Sequence, residues 1–332
     1  MKKIIILLSL ALVFTGCKEA KDSFVLSNSV GKSNHLLVVT EAEDWKGEVG
    51  TTLRNFLGKL VVGLPQPETT FSVTQIAPKG FGSMMNKYRN VLIVQLAEKE
   101  AFYTKTDYYA KPQTIVYVNA TDKEGLVKQL KKHKKDIVQI FRKADIEHVQ
   151  GRFFSTRVDD SKYKTLSKLG VSMIIPNSFK TVDDTGDFLW LRHRLMSGIA
   201  QGDGTNNLLV YSIPLTEDYE LDVNNSIINA RNKIGEKYIP GSKEGMYMIT
   251  EAAFVPETLE TELAGKRAFE TRGKWEVKND FMAGPFLNYH VLDALNDRII
   301  VVEGFTYAPS VDKRDFVFEL EAIAKSLKIT DN

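Results

Sequence analysis

The chain has 332 residues, of which 43% are hydrophobic and 26% are charged, as in a globular protein long enough for two domains. Its 44 basic and 42 acidic residues give a formal net charge of +2, which is too small for a typical nucleic-acid-binding domain. One cysteine, Cys17, is present, so no disulfide can form within the chain.

The N-terminal residues have the features of an export signal. Lys2 and Lys3 precede a hydrophobic run over residues 4–14, and small residues then lead to Cys17, which is the order found in secretory signals. The hydrophobic run is too short to cross a bilayer, which requires about 20 residues. We therefore predict a signal peptide at residues 1–17.

The sequence FTGC, which ends at Cys17, resembles the bacterial lipobox, with Phe14 where leucine is usual. The resemblance implies that signal peptidase II cleaves before Cys17 and that this cysteine carries fatty acyl chains such as palmitate. Two or more such chains make membrane attachment stable. We expect an outer-membrane lipoprotein of the cell envelope, exposed either in the periplasmic leaflet or at the cell surface.

Residues 18–34 are mostly polar and predict a flexible tether. A flexible segment of this length has a root-mean-square reach of roughly 22 Å. Loss of the leader removes Lys2 and Lys3 but no acidic residue, which leaves 42 basic and 42 acidic residues. Because this charge is balanced, we expect no nucleic-acid partner.

Residues 35–150 predict an α/β domain, because short apolar runs alternate with helical patterns. Apolar residues at intervals of four and three predict one amphipathic helix between Trp45 and Leu60. A longer helix follows Thr121 and Glu124, which have the spacing of a capping box. The predicted strands cover residues 35–40, 71–76, 91–96 and 114–120.

The longer helix carries a lysine cluster that lies mostly off its apolar stripe. The cluster consists of Lys128, Lys131, Lys132, Lys134 and Lys135. An anionic ligand is one interpretation, but a solvated helix face, on which lysine stems cover apolar neighbours, explains the cluster more simply. His133 and His148 share the apolar stripe but lie roughly 22 Å apart at 1.5 Å per residue, so they cannot bind one metal ion.

Residues 151–330 predict a second domain, an α+β sandwich built on an antiparallel sheet. A helix capped by Asp159 and Asp160 ends at Gly170, a second helix covers residues 222–239, and a third follows Asp312 as its cap. The segments DDTGD (183–187) and LNDR (295–298) predict turns. The predicted strands cover residues 171–176, 188–194, 207–214, 246–254, 266–278, 284–295 and 298–307.

Three long segments, with the FTGC leader, relate the chain to a known family. They are HLLVVTEAEDW, GVSMIIPNSFK and MAGPFLNYHVLDALNDRIIVVEGFTYAP. Through them nearly the whole chain resembles a family of uncharacterised Bacteroidota lipoproteins, domain of unknown function 4837. This resemblance offers no activity to carry over to the chain. Residues 160–328 also resemble the PsbP-like α/β sandwich in the IIPNSFK segment, the antiparallel strands and the closing strand and helix. That resemblance implies a binding or assembly module rather than an enzyme.

Polar and aromatic residues on three predicted strands form a candidate ligand site. Trp190, Arg192 and Arg194 alternate along one strand and therefore share a face, and Arg272 and His290 lie on two others. If the strands are neighbours, the arginines could bind a small anionic ligand through charge-assisted hydrogen bonds. Ion pairing across a solvated sheet face is the alternative explanation.

The sequence contains no G-x-S-x-G, Walker, H-E-x-x-H or G-x-G-x-x-G motif, and we predict no cofactor and no metal site. The main functional hypothesis is a non-catalytic lipoprotein that binds an envelope protein or a small anionic ligand. An envelope hydrolase with its site between the two domains is the alternative, and it requires His193 or His290 near a carboxylate in a cleft. A structural spacer is a third possibility and would expose no apolar patch.

Overall fold

The computed structural model describes residues 26–195 and 204–330. The predicted signal peptide, Cys17 and most of the predicted tether lie outside these residues, so lipidation remains a prediction. The described chain is mixed α+β with two separate main sheets, which confirms the predicted fold class. We call residues 26–155 the first half and residues 156–330 the second half.

The first half is built on a five-stranded sheet with the order β3-β2-β4-β7-β5. The inner strands β2, β4 and β7 are parallel and almost wholly buried, as expected for apolar runs at the centre of a parallel sheet. The antiparallel edge strand β5 was not predicted, because its sequence AFYTKT is largely polar and partly exposed. The strands are β2 His35–Val39, β3 Ser72–Ile76, β4 Asn90–Leu96, β5 Ala101–Thr106 and β7 Thr114–Ala120.

The helix predicted between Trp45 and Leu60 is divided into α1 (Ala42–Lys46) and α2 (Glu48–Leu57). The break is at Gly47, whose backbone is extended, a conformation that glycine adopts at low steric cost. Helix α2 ends before Gly58, and Leu60 is 58% exposed, so the prediction of one continuous helix was wrong.

Helix α3 (Lys123–Ser155) has 33 residues and is therefore roughly 50 Å long. Asp122, rather than Thr121, caps it, because the Asp122 Oδ1 accepts a 2.7 Å hydrogen bond from the Gly125 amide. Its apolar stripe packs on the five-stranded sheet through Leu126, Leu130, Ile137 and Phe141. The domain boundary predicted after residue 150 falls inside this helix.

Part of the predicted tether belongs to the folded body. Strand β1 (Ser27–Asn28) pairs in parallel with β6 (Ala110–Lys111), and Asn34 is fully buried. Asn34 donates from its backbone to Asp145 at 2.8 Å and from its side chain to Asp315 at 3.0 Å. The folded body therefore begins before residue 34, the predicted end of the tether.

The second half is built on an antiparallel eight-stranded sheet with the order β12-β14-β15-β16-β11-β10-β9, and β13 also pairs with β14. Strand β13 (ETLETEL) was not predicted, because it is polar and mostly exposed. The strands are β9 Lys180–Asp184, β10 Phe188–Leu195, β11 Gly204–Pro214, β12 Met248–Thr250, β13 Glu257–Leu263, β14 Lys266–Val277, β15 Ala283–Asp293 and β16 Arg298–Tyr307.

Two predicted strands are shorter than expected. Only β8 (Val171–Ser172) of the run VSMIIP forms a strand, and it pairs with β17 (Lys328–Ile329). Met173 and Ile174 instead donate their amides to the side chains of Asp160 and Ser326, so these side chains replace the partner strand. Strand β12 covers three residues of the predicted 246–254.

Helices cover both faces of the eight-stranded sheet. Helices α4 (Lys164–Leu169) and α6 (Arg314–Ala324) pack on one face, and α5 (Val223–Tyr238) packs on the other. Gly170 ends α4 with a φ of 61°, as predicted for a left-handed glycine cap. Asp312 does not cap α6; the carboxylate of Glu68, in the first half, accepts from the amides of Lys313 and Arg314 at 2.7 and 3.0 Å.

Candidate functional site: a basic cleft along the long helix

Strand β10 places Trp190, Arg192 and Arg194 on one face, as the alternation predicted. Trp190 is 7% exposed. Its indole N–H and the Arg192 Nε both donate to the Oδ1 of Asn207 at 3.0 Å. The Arg192 guanidinium lies 4.7 Å from the centre of the Trp190 ring. Burial, followed by the charge of Arg194, lowers the pKa of Arg192.

Arg272 and His290 lie elsewhere, so the five predicted residues do not form one site. Three strands, β15, β16 and β11, separate β14 from β10. Arg272 points to the opposite sheet face, where it contacts Glu321 of α6. His290 is fully buried and its Nδ1 lies 2.9 Å from the hydroxyl of Tyr219, and burial lowers the pKa of His290 to about 3.

The histidines do not form the constellation that the hydrolase hypothesis requires. The ring of His193 lies 5.4 Å from the ring of Phe179, and burial alone lowers the pKa of His193. Within residues 26–195 and 204–330, neither His193 nor His290 is bonded to a carboxylate. The described part of the chain also contains no group of His, Cys, Asp and Glu side chains arranged to hold a metal ion.

A buried charge cluster joins the two halves around Glu321, which is 2% exposed. Its carboxylate accepts from Arg142 of α3, from Arg272 at 2.8 Å and from Lys325 at 2.9 Å. Burial alone would raise the pKa of Glu321, but these three cations hold it well below its usual value. Glu270 occupies the Nε of Arg272 at 2.7 Å and accepts from the Tyr289 hydroxyl at 2.8 Å. Arg272, one of the arginines predicted to bind a ligand, is therefore already engaged in internal ion pairs.

The first half contains a cleft of about 630 Å³ between α2 and α3. Such a volume lies within the range of small-molecule sites. Phe56 and Val138 supply apolar surface, and four lysines surround it. The lining side chains are those of Thr52, Asn55, Phe56, Lys59, Thr70, Lys131, Lys134, Lys135, Val138 and Gln139.

Helical spacing explains why one face of α3 lines this cleft. Residues 131, 134, 135, 138 and 139 follow each other at intervals of three, one, three and one, and so lie on one side of the helix. Lys59 reaches the cleft from the segment after α2, which the sequence pattern of α3 could not indicate. From sequence, a solvated helix face was the preferred explanation of the α3 lysines, so the cleft was not predicted.

The charge of these lysines is mostly uncompensated. Lys131 forms an exposed ion pair with Glu48 at 3.4 Å. The ammonium groups of Lys59, Lys134 and Lys135 are bonded to no carboxylate in the part of the chain that the structure describes. Like charges that share a small cleft repel one another, and a bound anion would reduce this repulsion.

A second, smaller cleft of about 200 Å³ continues the first towards the second half. Thr70 and Val138 line both clefts. The second cleft adds apolar surface from Val61, Val62 and Leu259, and its charged lining residues are Arg142, Glu257, Glu270 and Arg272. The two clefts therefore adjoin at Thr70 and Val138, and we call them together the groove: one end lies among lysines and the other where the halves meet.

The fold and the groove define a two-part α+β protein with a basic cleft in its first half. Residues 158–326 match the family model described as Domain of unknown function (DUF4837). Because this match covers half of the chain, the protein belongs to the DUF4837 family. Residues 29–154 match a second domain of unknown function, DUF8532.

No curated protein matches the chain. Among solved structures, LpqN of Mycobacterium tuberculosis, described as involved in cell envelope biogenesis, has 12% identity and a TM-score of 0.30 over 48% of this chain and 83% of its own. The Ran-binding protein Mog1p of Saccharomyces cerevisiae has 10% identity and a TM-score of 0.32 over 49% and 91%. The human StarD13 lipid transfer and protein localization domain has 8% identity and a TM-score of 0.24 over 45% and 88%. These scores are too low to assign a fold or a function to this chain.

Proposed function

We propose that this protein is a non-catalytic binding module of the cell envelope, anchored through a lipid on Cys17, that binds an anionic ligand in the cleft between α2 and α3. One observation carries the proposal. Lys59, Lys134 and Lys135 face a cleft with an apolar floor and have no ion-pair partner among the described residues. Cationic side chains with no internal partner are available for a negatively charged ligand.

The anchoring part of the proposal is supported by the leader sequence, whose FTGC motif resembles a lipobox. No helix in the described residues is both long and apolar enough to cross a membrane. We further propose a Bacteroidota origin and a PsbP-like sandwich for the second half, on the sequence resemblances given above.

Metabolic labelling tests the anchor. Labelled palmitate should be incorporated into the wild-type protein and not into Cys17→Ser, because the thiol is the only attachment point that the leader provides. Labelling of the variant at the wild-type level would contradict lipidation at Cys17.

Native mass spectrometry of protein purified from its own envelope tests ligand binding. The wild type should carry an anionic molecule that is lost from Lys134→Ala/Lys135→Ala. The control Lys128→Ala/Lys132→Ala removes the same charge from exposed positions of the same helix that do not line the cleft, and it should retain the molecule. Retention in both double variants, or absence from the wild type, would contradict the proposed site.

A hydrolase with its site between the halves is the second candidate, because a cleft is present there. Of the two acidic residues that line it, Glu270 is occupied by both Arg272 and Tyr289. Neither His193 nor His290 is among its described lining residues, so the acid–base pair that hydrolysis requires is not assembled there. The binding proposal is therefore preferred.

A further inference from the structure

We infer that the ligand of the groove is an amphiphile, with an anionic head group held by the lysines of the cleft and an alkyl chain that lies along α3 towards the second half. The inference rests on the proposed function and specifies the ligand class. It follows from the distribution of charge and apolar surface along the groove.

The head-group end is defined by Lys131, Lys134 and Lys135 on α3. These residues lie within about one turn of the helix, and Lys59 faces them across the cleft. Ammonium groups are mobile point charges with three donors each and suit a phosphate or a carboxylate. Glu48 pairs with Lys131, and Asp136 of α3 pairs with His133, so neither carboxylate neutralises Lys134 or Lys135.

The apolar path begins next to these lysines. Phe56 and Val138 form the floor of the large cleft, and Val61, Val62 and Leu259 continue it into the second cleft. From Lys131 to Arg142 the path covers roughly 16 Å along α3 at 1.5 Å per residue. This length suits an extended alkyl chain better than a compact anion.

The cations at the far end of the groove are already paired. Arg142 and Arg272 are paired with Glu321, and Glu270 is paired with Arg272. Among the described residues that line this end, no free cation is left for a second anionic group. A ligand with negative charge along its whole length, such as an acidic peptide, would fit the lysine end only, whereas an amphiphile matches both ends.

A small inorganic anion would satisfy the lysines but would leave the floor of the cleft in contact with water. Burial of an alkyl chain on this floor contributes favourably, by about 0.8 kcal/mol for each CH₂ group that leaves water completely. The alkyl chain is thus expected to supply much of the binding affinity, and the head group is expected to fix the orientation of the ligand.

The experiment is calorimetric titration of the purified protein with hexyl, octyl and dodecyl phosphate, each below its micelle concentration, and with inorganic phosphate and dodecyl maltoside. We expect affinity to rise by up to about fourfold for each added CH₂ group. Dodecyl maltoside, which has the same chain and a neutral head, should bind at least about tenfold more weakly than dodecyl phosphate, because the lysines then gain no partner.

Two double lysine variants provide a second test of the ligand class. Lys134→Ala/Lys135→Ala should weaken dodecyl phosphate binding by about tenfold or more, since each lost charge contact costs a few-fold in affinity. Lys128→Ala/Lys132→Ala should bind like the wild type. Because all four lysines are exposed, both variants are expected to fold, and circular dichroism verifies this.

The outcomes separate the two proposals. Affinity that does not depend on chain length, but does depend on Lys134 and Lys135, would overturn the amphiphile and leave the anion site in place. Tighter binding of an acidic peptide than of dodecyl phosphate would have the same meaning. If none of the anionic probes binds, both the amphiphile and the proposed site are overturned.

Discussion

Glu321 of α6 connects the two halves of the molecule, because its carboxylate meets cations from α3, from β14 and from Lys325 directly after α6. A buried ion cluster of this kind is not a strong source of net stability relative to an apolar core, but removal of one member is costly. The cost arises because Arg142 loses its carboxylate partner and Arg272 retains only Glu270.

We therefore expect Glu321→Ala to reduce the free energy of unfolding by about 3–5 kcal/mol. Glu319→Ala is the matched control on the same helix, since Glu319 forms a partly exposed pair with Arg152 at 3.0 Å, and exposed pairs contribute about 0–1 kcal/mol. Urea unfolding followed by circular dichroism measures both. Equal losses in the two variants would contradict the role assigned to Glu321.

His290 should make the protein sensitive to acid. Burial lowers its pKa to about 3, whereas a histidine in the unfolded chain titrates at about 6.5. As the pH falls between these values, the unfolded chain binds a proton that the folded chain does not, so His290 lowers the free energy of unfolding by about 1.4 kcal/mol per pH unit. In His290→Gln, which has no titrating side chain at this position, that free energy should fall less steeply with decreasing pH. Urea titrations across this pH range test the difference, and identical slopes would contradict the prediction.

At the scale of single residues, the sequence correctly predicted which side chains share a face of one strand. Trp190, Arg192 and Arg194 share a face because side chains alternate along any strand. Their separation from Arg272 and His290 could not be predicted, because it depends on the placement of β11 and β16 between the strands. The lysine cleft could not be predicted either, because Lys59 approaches α3 only in the folded chain.

Among the elements, long apolar runs and strongly periodic helices were predicted well. Strands β2, β4, β7 and β16 and helix α5 lie within about two residues of their predicted bounds. Among the elements that were missed, β5 and β13 are polar edge strands whose pairing is set by a neighbour rather than by their own hydrophobicity. Helix α6 was predicted with the wrong cap, because its actual cap, Glu68, is supplied by a distant loop.

The cap of α6 gives a prediction at this scale. Glu68→Ala should reduce the free energy of unfolding by about 1–2 kcal/mol, because two amides at the start of the helix lose a charged acceptor. Asp312→Ala is the control at the position where the sequence suggested a cap, and an exposed residue without such a role should change stability by less than about 0.5 kcal/mol. Thermal unfolding of the two variants decides between them, and a larger loss in Asp312→Ala would reverse the assignment.

For the molecule as a whole, contact between the halves requires close approach of two backbones. Gly63 has a φ of +83°, and a Cβ there would lie 2.9 Å from the carbonyl oxygen of Gly273 in β14. Helices α3 and α6 also pack against each other through Ile146, Val149, Phe318 and Ala322. The two halves thus share apolar, ionic and backbone contacts.

Gly63→Ala should therefore weaken the contact between the halves as well as strain the local backbone. Left-handed conformation costs a non-glycine residue about 1–2 kcal/mol, and overpacking adds about 1–3 kcal/mol. Gly245→Ala separates the two effects, since Gly245 has a φ of +76° but no atom within 4 Å of the added Cβ. Calorimetric unfolding should show the larger loss for Gly63→Ala, and equal losses would argue against tight contact at this point.

The position of Asn34 has a mechanical consequence. This residue bonds to Asp145 of α3 and to Asp315 of α6, and it follows directly on the segment that leads from the proposed lipid. Tension between the membrane and the body would first load β1 and its pairing with β6, and after that the bonds of Asn34 to both halves. Single-molecule stretching from the N-terminus should therefore detach β1 before it breaks the contacts between the halves.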